Sequence, residues 1–196
     1  LASAGSDWND WRVLNVATGE NTSDLLKWVK FSGASWTNDN AGFFYSRYDE
    51  PKPGEKYTGA NYYQKLYYHK LGDEQSKDKL IYERKDQKEW GFSGSVTEDG
   101  RYVVITVWRG TEQKNLVFYQ DLQANDGKTH EIVSEWEADF DFVGNVGTKF
   151  WLKTDLDAPF KKVVEVDLAK PERANWKTLI AESKDTLQGV GAVGGH

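Results

Sequence analysis

Cysteine is absent from all 196 residues, which excludes disulfides and thiolate metal sites. Methionine is absent too, even at the first position, so we expect a chain that starts after cleavage or inside a longer polypeptide. No stretch approaches the roughly 20 apolar residues that span a bilayer, and the first residues turn polar too soon for a signal peptide. The net charge of −6 argues against nucleic acid as a main partner. We therefore predict no membrane and no nucleic-acid partner, and place the chain in the cytoplasm, with the periplasm as the alternative.

The hydrophobic residues that are present alternate with a period of two, which indicates strands rather than helices. Aromatic residues make up 14% of the chain, enough to build a core. Turn residues separate the hydrophobic runs, as with Asp99-Gly100, where glycine accepts a positive φ at little cost. The predicted strands cover 11–16, 25–29, 42–48, 65–71, 79–83, 101–108, 115–122, 130–134, 140–143, 149–154, 162–168, 176–180 and 187–193.

The strands repeat in a common order, with a unit of about 45–60 residues, which is the range of β-propeller blades. A β-sandwich also has closely spaced short strands and is the alternative. The repeat predicts an all-β fold of blades with four antiparallel strands each: about three complete blades plus two partial ones. Residues 1–196 would form a single partial propeller domain, with blade boundaries near 30, 86–90, 136 and 184. An open run of blades exposes sheet faces and edges, so self-association of the isolated piece is possible.

Motifs for catalysis, metals and cofactors are missing or misplaced. The string 189–194 matches G-x-G-x-x-G, but too little chain follows it for the helix that would bind phosphate. No G-x-S-x-G nucleophile elbow occurs. His69 and His130 have no Ser or Asp partner at an interpretable spacing and are read as structural residues. The sequence therefore predicts no catalytic residues, no metal site and no cofactor in this chain.

A set of short motifs, in order and along nearly the whole chain, resembles a known family. They are Gly5-Ser6-Asp7-Trp8, Val29-Lys30-Phe31-Ser32, Trp36-Thr37-Asn38-Asp39, Gly42-Phe43-Phe44-Tyr45, 64–72 (QKLYYHKLG), 98–103 (EDGRYV) and 176–180 (WKTLI). Together they are similar to the central part of the seven-bladed propeller domain of prolyl oligopeptidase, in its bacterial type. Each motif is weak alone, and their shared order and spacing make the set specific.

The resemblance implies a propeller that caps an α/β-hydrolase domain in a proline-specific serine peptidase. In that family the hydrolase carries a Ser-Asp-His triad, and the propeller limits the size of entering peptides and helps to line the cavity. Neither the triad nor the hydrolase domain is in this chain. The implied partners are therefore the hydrolase domain, the remaining blades and short proline-containing peptides.

The resemblance also implies five candidate substrate-binding residues. Asp7 and Phe31 match cavity-lining positions of the family. In animal members an arginine on a strand of the next blade binds the peptide; here Trp108 has that position and Arg109 follows it. A shift of one residue turns a strand side chain to the other face, so Arg109 could replace that arginine only if a bulge realigns it. Thr111 stands where animal members carry a cysteine.

Two other functions remain open from the sequence alone. One is a free-standing propeller module that binds a protein or peptide, and the other is a deliberately cut propeller piece. A free-standing module needs a closed ring with matched first and last blades, whereas this sequence starts and stops within blades. The sequence thus favours a propeller segment of a peptidase.

Overall fold

A computed structural model describes residues 7–52 and 61–193. Their contacts define two compact units that divide between Val96 and Thr97. Among the described residues, the only helical segments are two single 3₁₀ turns, Gln75–Lys77 and Arg173–Asn175. The predicted all-β class is confirmed.

Within residues 7–52 and 61–96, the first unit contains seven strands. They are β1 (Asn9–Asn15), β2 (Glu20–Val29), β3 (Ser35–Trp36), β4 (Gly42–Arg47), β5 (Lys65–Lys70), β6 (Lys79–Tyr82) and β7 (Trp90–Val96). One sheet has the order β1-β2-β4-β5-β6, and β3 pairs with β4. The β4–β5 pairing is regular from Gly42 opposite Lys70 to Arg47 opposite Lys65. This central pair of strands positions the side chains of Tyr45, Ser46 and His69.

The core of the first unit is aromatic. Its buried members are Leu26, Val29, Phe43, Tyr45 and Tyr67, with Trp11 and Val13 packed against them. The two members of this cluster on β4 are two residues apart, as the period of a strand requires. Large aromatic side chains bury more area than aliphatic ones, so few residues suffice to hold this sheet.

Over residues 97–193, the second unit also contains seven strands. They are β8 (Tyr102–Arg109), β9 (Leu116–Asp121), β10 (Thr129–Val133), β11 (Phe140–Val146), β12 (Lys149–Thr154), β13 (Lys162–Asp167) and β14 (Lys177–Ile180). Strand β9 lies between β8 and β10. Strands β11 to β14 form a four-stranded antiparallel sheet in chain order. This is the predicted arrangement of a propeller blade.

The core of the second unit lies between its two sheets. Strands β8, β9 and β10 supply one side and strands β11, β12 and β13 the other. Tyr102 meets Phe150 edge to face across this interface, with ring centroids 5.2 Å apart. The buried Asn115 side chain bonds both the N–H and the C=O of Phe140, at 2.7 and 3.0 Å. Successive sheets that pack face to face in this way are what a propeller requires.

One turn occurs with the same geometry in each unit. Thr37 and Thr97 each donate a hydroxyl hydrogen bond of 2.6 Å to the aspartate two residues later. Asp39 accepts from the N–H of Ala41, and Asp99 from the N–H of Arg101, both at 3.0 Å. A residue with positive φ completes each turn, Asn40 in one and Gly100 in the other. The blade repeat thus extends to individual hydrogen bonds.

The structure differs from the strand prediction in three places. The predicted strand 187–193 is wrong: the chain there has no strand, and the Leu187 N–H donates to the Phe160 carbonyl at 2.8 Å. Strands β3 and β7 were not predicted, since β3 is only two residues long and β7 contains two glycines and two serines. The blade boundaries stay predictions.

Candidate functional site

Asp7 and Phe31 are brought together in the first unit by Lys30. The Lys30 ammonium lies 3.4 Å from the Asp7 carboxylate. The same ammonium lies 5.1 Å from the centroid of the Phe31 ring and 5.2 Å from that of Trp8. Cations over aromatic rings at such distances are attracted by the π face. The motif that predicted Asp7 also contains Gly5 and Ser6, which lie outside the described residues.

The Phe31 backbone is in the left-handed region, with φ +54°. The residue is 54% exposed. Left-handed backbone costs a non-glycine residue about 1–2 kcal/mol, and an exposed aromatic ring returns little burial energy. Trp28, three residues before Phe31, and Tyr63, beside Gln64, also have positive φ, of 61° and 60°. Bulky residues with positive φ are outliers that cluster at functional sites.

Gln64 holds the backbone next to Phe31. Its side-chain amide donates to the carbonyls of Lys30, at 3.0 Å, and Phe31, at 3.4 Å. Its side-chain oxygen accepts from the Phe92 N–H on β7 at 2.7 Å. Gln64 is 1% exposed. A buried polar group that loses its hydrogen-bond partner costs free energy. These hydrogen bonds therefore hold the segment around Phe31 against β7.

Ser46 and Ser32 add a second connection to the same segment. The Ser46 hydroxyl donates to the Phe92 carbonyl at 2.6 Å, and the Ser46 N–H donates to the Ser32 hydroxyl at 2.7 Å. The residues on both sides of Phe31 are therefore tied to strands. The exposed ring stands on a fixed backbone.

Trp108, Arg109 and Thr111 lie at the end of β8, in the second unit. The register of β8 on β9 is regular from Tyr102 opposite Asp121 to Val107 opposite Leu116. This pairing has no bulge between Tyr102 and Val107, and Arg109 lies beyond its last paired residue, so the role of Arg109 stays a prediction. Thr111 is exposed and Trp108 half-buried.

The Arg109 guanidinium is engaged within the second unit. It donates to the Glu112 carboxylate at 3.0 and 2.5 Å and stacks 4.6 Å from the centroid of the Trp136 ring. A peptide carbonyl that bound this guanidinium would compete with a charged acceptor. The five predicted residues thus form two groups, one in each unit.

A buried Asp–His–Asp arrangement in the first unit was missed from the sequence. The two ring nitrogens of His69 lie 2.8 Å from Asp24 Oδ1 and 2.6 Å from Asp78 Oδ1. Tyr45 donates its hydroxyl to Asp78 at 2.5 Å, and the Gly72 N–H donates to Asp24 at 2.6 Å. The sequence showed no Asp partner for His69 at an interpretable spacing, because the partners lie 45 and 9 residues away, on β2 and just before β6. The expectation that His69 is structural is kept.

This arrangement does not fit catalysis. The His69 side chain is fully buried and both of its nitrogens face carboxylates. Both ring nitrogens are therefore occupied by hydrogen-bonding contacts within the fold. Such a ring has no free nitrogen to take a proton from a nucleophile. It serves to join β5 to the segments around Asp24 and Asp78.

The hydrogen bonds to Asp24 also set its ionisation. Burial disfavours the charged carboxylate, but hydrogen bonds from Thr22, His69 and the Gly72 N–H outweigh burial and hold the Asp24 pKa below its usual value. The unfolded chain regains the higher ordinary pKa. The stability that Asp24 contributes is therefore present above the unfolded pKa and lost as pH falls through the folded one.

We expect the free energy of unfolding to decrease as pH is lowered from about 5 to about 3. Asp24→Asn should make this decrease shallower and lower the stability at pH 7, because the amide lacks the charge that the neighbours favour. Urea unfolding followed by tryptophan fluorescence at a series of pH values measures both effects. A variant with the same pH slope as the wild type would assign the acid sensitivity to other carboxylates.

A cavity of about 210 Å³ opens beside Gln64. Its walls carry charges of both signs, which are Asp49, Lys65, Glu83, Arg84 and Lys85, together with Tyr63. Lys65 pairs with Asp49 at 2.6 Å. Over residues 7–52 and 61–193, no three His, Asp or Glu side chains are grouped to hold a metal ion. The described part of the chain also has no helix long and apolar enough to cross a membrane.

Sheets in chain order, face-to-face packing and repeated turns define a chain of β-propeller blades. A family model for the N-terminal β-propeller domain of prolyl oligopeptidase matches residues 1–196. The chain belongs to the prolyl oligopeptidase family, in its propeller domain. The resemblance seen in the sequence is confirmed.

Similar proteins are prolyl oligopeptidases from bacteria and fungi. A prolyl endopeptidase of Elizabethkingia miricola is 36% identical over 196 residues, covering 100% of this chain and 27% of the relative. Prolyl oligopeptidase A of Amanita bisporigera is 38% identical over 205 residues, covering 93% of this chain and 26% of the relative. The chain therefore spans about a quarter of the length of these relatives.

Solved structures agree with this placement. A prolyl endopeptidase structure superposes with a TM-score of 0.84 at 37% identity, covering 97% of this chain and 27% of that one. Prolyl oligopeptidase B of Galerina marginata, bound to a 35-residue hydrolysis and macrocyclisation substrate, gives 0.82 at 31% identity, covering 92% and 27%. The chain is thus similar to one part of larger peptidases.

Proposed function

We propose that this chain is the propeller segment of a proline-specific serine oligopeptidase, where it gates peptide access and lines the substrate cavity. It has no catalytic role by itself. Its partners are an α/β-hydrolase domain, the remaining blades of a seven-bladed ring and short proline-containing peptides. A cytoplasmic location, self-association of the isolated piece and the role of Arg109 rest on the sequence and stay predictions.

The observation that carries the proposal is the conformation of Phe31. Its backbone is left-handed and the residue is 54% exposed. The left-handed backbone costs free energy, and the contact of the partly exposed ring with Lys30 returns only part of it, so stability alone does not explain a phenylalanine at this position. A ring that stands in solvent on a fixed backbone suits contact with an apolar part of a ligand. The peptide-bound relative from Galerina marginata supports peptides as the ligand class.

The test compares the chain alone with the full-length protein that contains it. We expect no cleavage of a fluorogenic Gly-Pro reporter by the 196-residue chain and cleavage by the full-length protein. In the full-length protein, Phe31→Ala should raise KM about tenfold, the equivalent of about 1.4 kcal/mol of apolar binding energy. The turnover number should stay within a factor of about two, because Phe31 does not touch the reacting atoms.

Two results would contradict the proposal. Turnover by the chain alone that a serine-directed inhibitor blocks would show catalytic residues within it. An unchanged KM for Phe31→Ala would remove Phe31 from the substrate contacts. The prolyl endopeptidase of Elizabethkingia miricola serves as the positive control for the assay.

A further inference from the structure

We infer that Lys30 and Gln64 are positioning residues that together hold the Phe31 ring in place for peptide contact. The inference rests on the proposed function of Phe31. Neither residue would touch the peptide's reacting atoms, and both act through Phe31. Gln64 fixes the backbone of Phe31, Lys30 fixes its ring, and the neighbouring strands make the support rigid.

Gln64 determines the backbone conformation at Phe31. Left-handed backbone at a phenylalanine persists only where the surroundings determine it. The side-chain amide of Gln64 reaches two successive carbonyls, those of Lys30 and Phe31, at 3.0 and 3.4 Å. These carbonyls point to one amide group only when the chain turns between them. Gln64 therefore stabilises the turned conformation over an extended one.

Lys30 determines the position of the Phe31 ring. The lysine side chain is only 11% exposed, and its ammonium lies 3.4 Å from the Asp7 carboxylate. The rings of Trp8 and Phe31 also face the ammonium, at 5.2 and 5.1 Å. Trp8 is itself buried and meets Trp28 and Tyr48 edge to face, at 5.9 and 5.8 Å. The ammonium therefore connects the Phe31 ring to a fixed aromatic cluster, while half of the ring stays exposed.

The strands on either side make this support rigid, which suits binding. Gln64 and Ser46 both bond to Phe92 on β7, and Ser46 also bonds to Ser32. The Phe31 segment is thus tied to the sheet before and after the ring. A binding group that is held in place before the ligand arrives loses little entropy on binding. Removal of either support should weaken binding without changing the chemical step.

The test uses the full-length protein with two readouts. The first is the ¹⁹F NMR signal of 4-trifluoromethylphenylalanine placed at Phe31. In Lys30→Met and in Gln64→Met, we expect this signal to move towards its position in the urea-unfolded protein. The second is hydrolysis of the Gly-Pro reporter. Lys30→Met should raise KM about three- to tenfold, as expected when a cation–π interaction is removed from a partly exposed site.

Matched variants separate positioning from general stability. Lys30→Arg keeps a cation over the rings and should keep KM within a factor of about two of the wild type. Lys149→Met removes a lysine in the second unit whose ion pair with Glu165 is 3.8 Å long, and should change neither readout. If Gln64→Met fails to fold, Gln64→Glu takes its place, because glutamate keeps the oxygen that accepts from the Phe92 N–H and lacks the amide that donates to the Lys30 and Phe31 carbonyls. An unmoved ¹⁹F signal in the Gln64 variant that folds would overturn the role of Gln64.

The outcomes distinguish the inference from the function on which it rests. An unmoved ¹⁹F signal in Lys30→Met overturns the positioning role, whatever the kinetics show. An unchanged KM in Lys30→Met, while Phe31→Ala raises KM, also overturns it and leaves the proposed function in place. An unchanged KM in Phe31→Ala overturns the proposed function and, with it, the kinetic half of the inference.

Discussion

Replacement of His69 by leucine is expected to lower the free energy of unfolding by about 3–5 kcal/mol. The histidine lies between the carboxylates of Asp24 and Asp78, at 2.8 and 2.6 Å, and all three side chains are buried. Leucine fills a similar volume but leaves two carboxylates without their common partner. Each buried carboxylate keeps its other hydrogen bonds, from Gly72 to Asp24 and from Tyr45 to Asp78, but loses the one to His69, and water cannot replace it at a buried site. Urea unfolding at pH 7, followed by tryptophan fluorescence, measures the decrease.

His130 provides the matched control. It stacks on Tyr119 with ring centroids 5.0 Å apart and is half-buried. Its replacement by leucine should cost about 1 kcal/mol or less. In the double variant Asp24→Asn with His69→Leu, the cost should fall short of the sum of the two single costs, since each removes the same interaction. A His69→Leu cost equal to that of His130→Leu would show that the buried arrangement contributes little.

The second large effect is expected at Gly42, the first residue of β4. A Cβ at this position would overlap the carbonyl oxygen of His69 and lie 2.6 Å from the Tyr68 hydroxyl. The carbonyl oxygen belongs to the neighbouring strand, so relief requires β4 and β5 to separate locally. We expect Gly42→Ala to cost about 3 kcal/mol, in the upper range for overpacking. For a chain of this size that lowers Tm by about 6–12 °C in circular dichroism melts.

Gly33→Ala is the control for the replacement of glycine itself. No atom lies within 4 Å of the Cβ that it would add, and its φ is not in the left-handed region. Its Tm should therefore stay within about 3 °C of the wild type, or rise slightly, because alanine lowers the conformational entropy of the unfolded chain. An equal decrease in Tm for Gly42→Ala and Gly33→Ala would show that the loss of glycine itself, and not the overlap with His69, causes the destabilisation.

The strands were largely predictable because each strand's own sequence shows the alternation of apolar and polar side chains. Of the fourteen strands in the part of the chain that the structure describes, twelve overlap predicted ones. The error at 187–193 has a physical cause: a glycine-rich apolar run has the composition of a strand but here has no pairing partner. Instead Val190 and Gly191, together with Trp151, line a cavity of about 310 Å³. Pairing partners, not composition, decide whether such a run forms a strand.

The candidate site was predictable only in part. The family motifs led to Asp7 and Phe31, and the structure brings both to Lys30. The same motifs contained Lys30 and Gln64 but carried no signal for their contacts with Phe31. The sequence also could not show that Arg109 is engaged by Glu112 and Trp136, because these contacts depend on the path of the chain after β8.

The sequence by itself determined the all-β class, the blade repeat and the family, since these depend on the periodicity of side chains and on the order of short motifs. The tertiary structure alone decided which side chains meet. His69 finds Asp24 from 45 residues away, and Phe31 is held by Gln64 from 33 residues away. The physical reason is that periodicity fixes the face on which a side chain lies, whereas its partner depends on strand register and loop path. Both arise only when the sheets assemble.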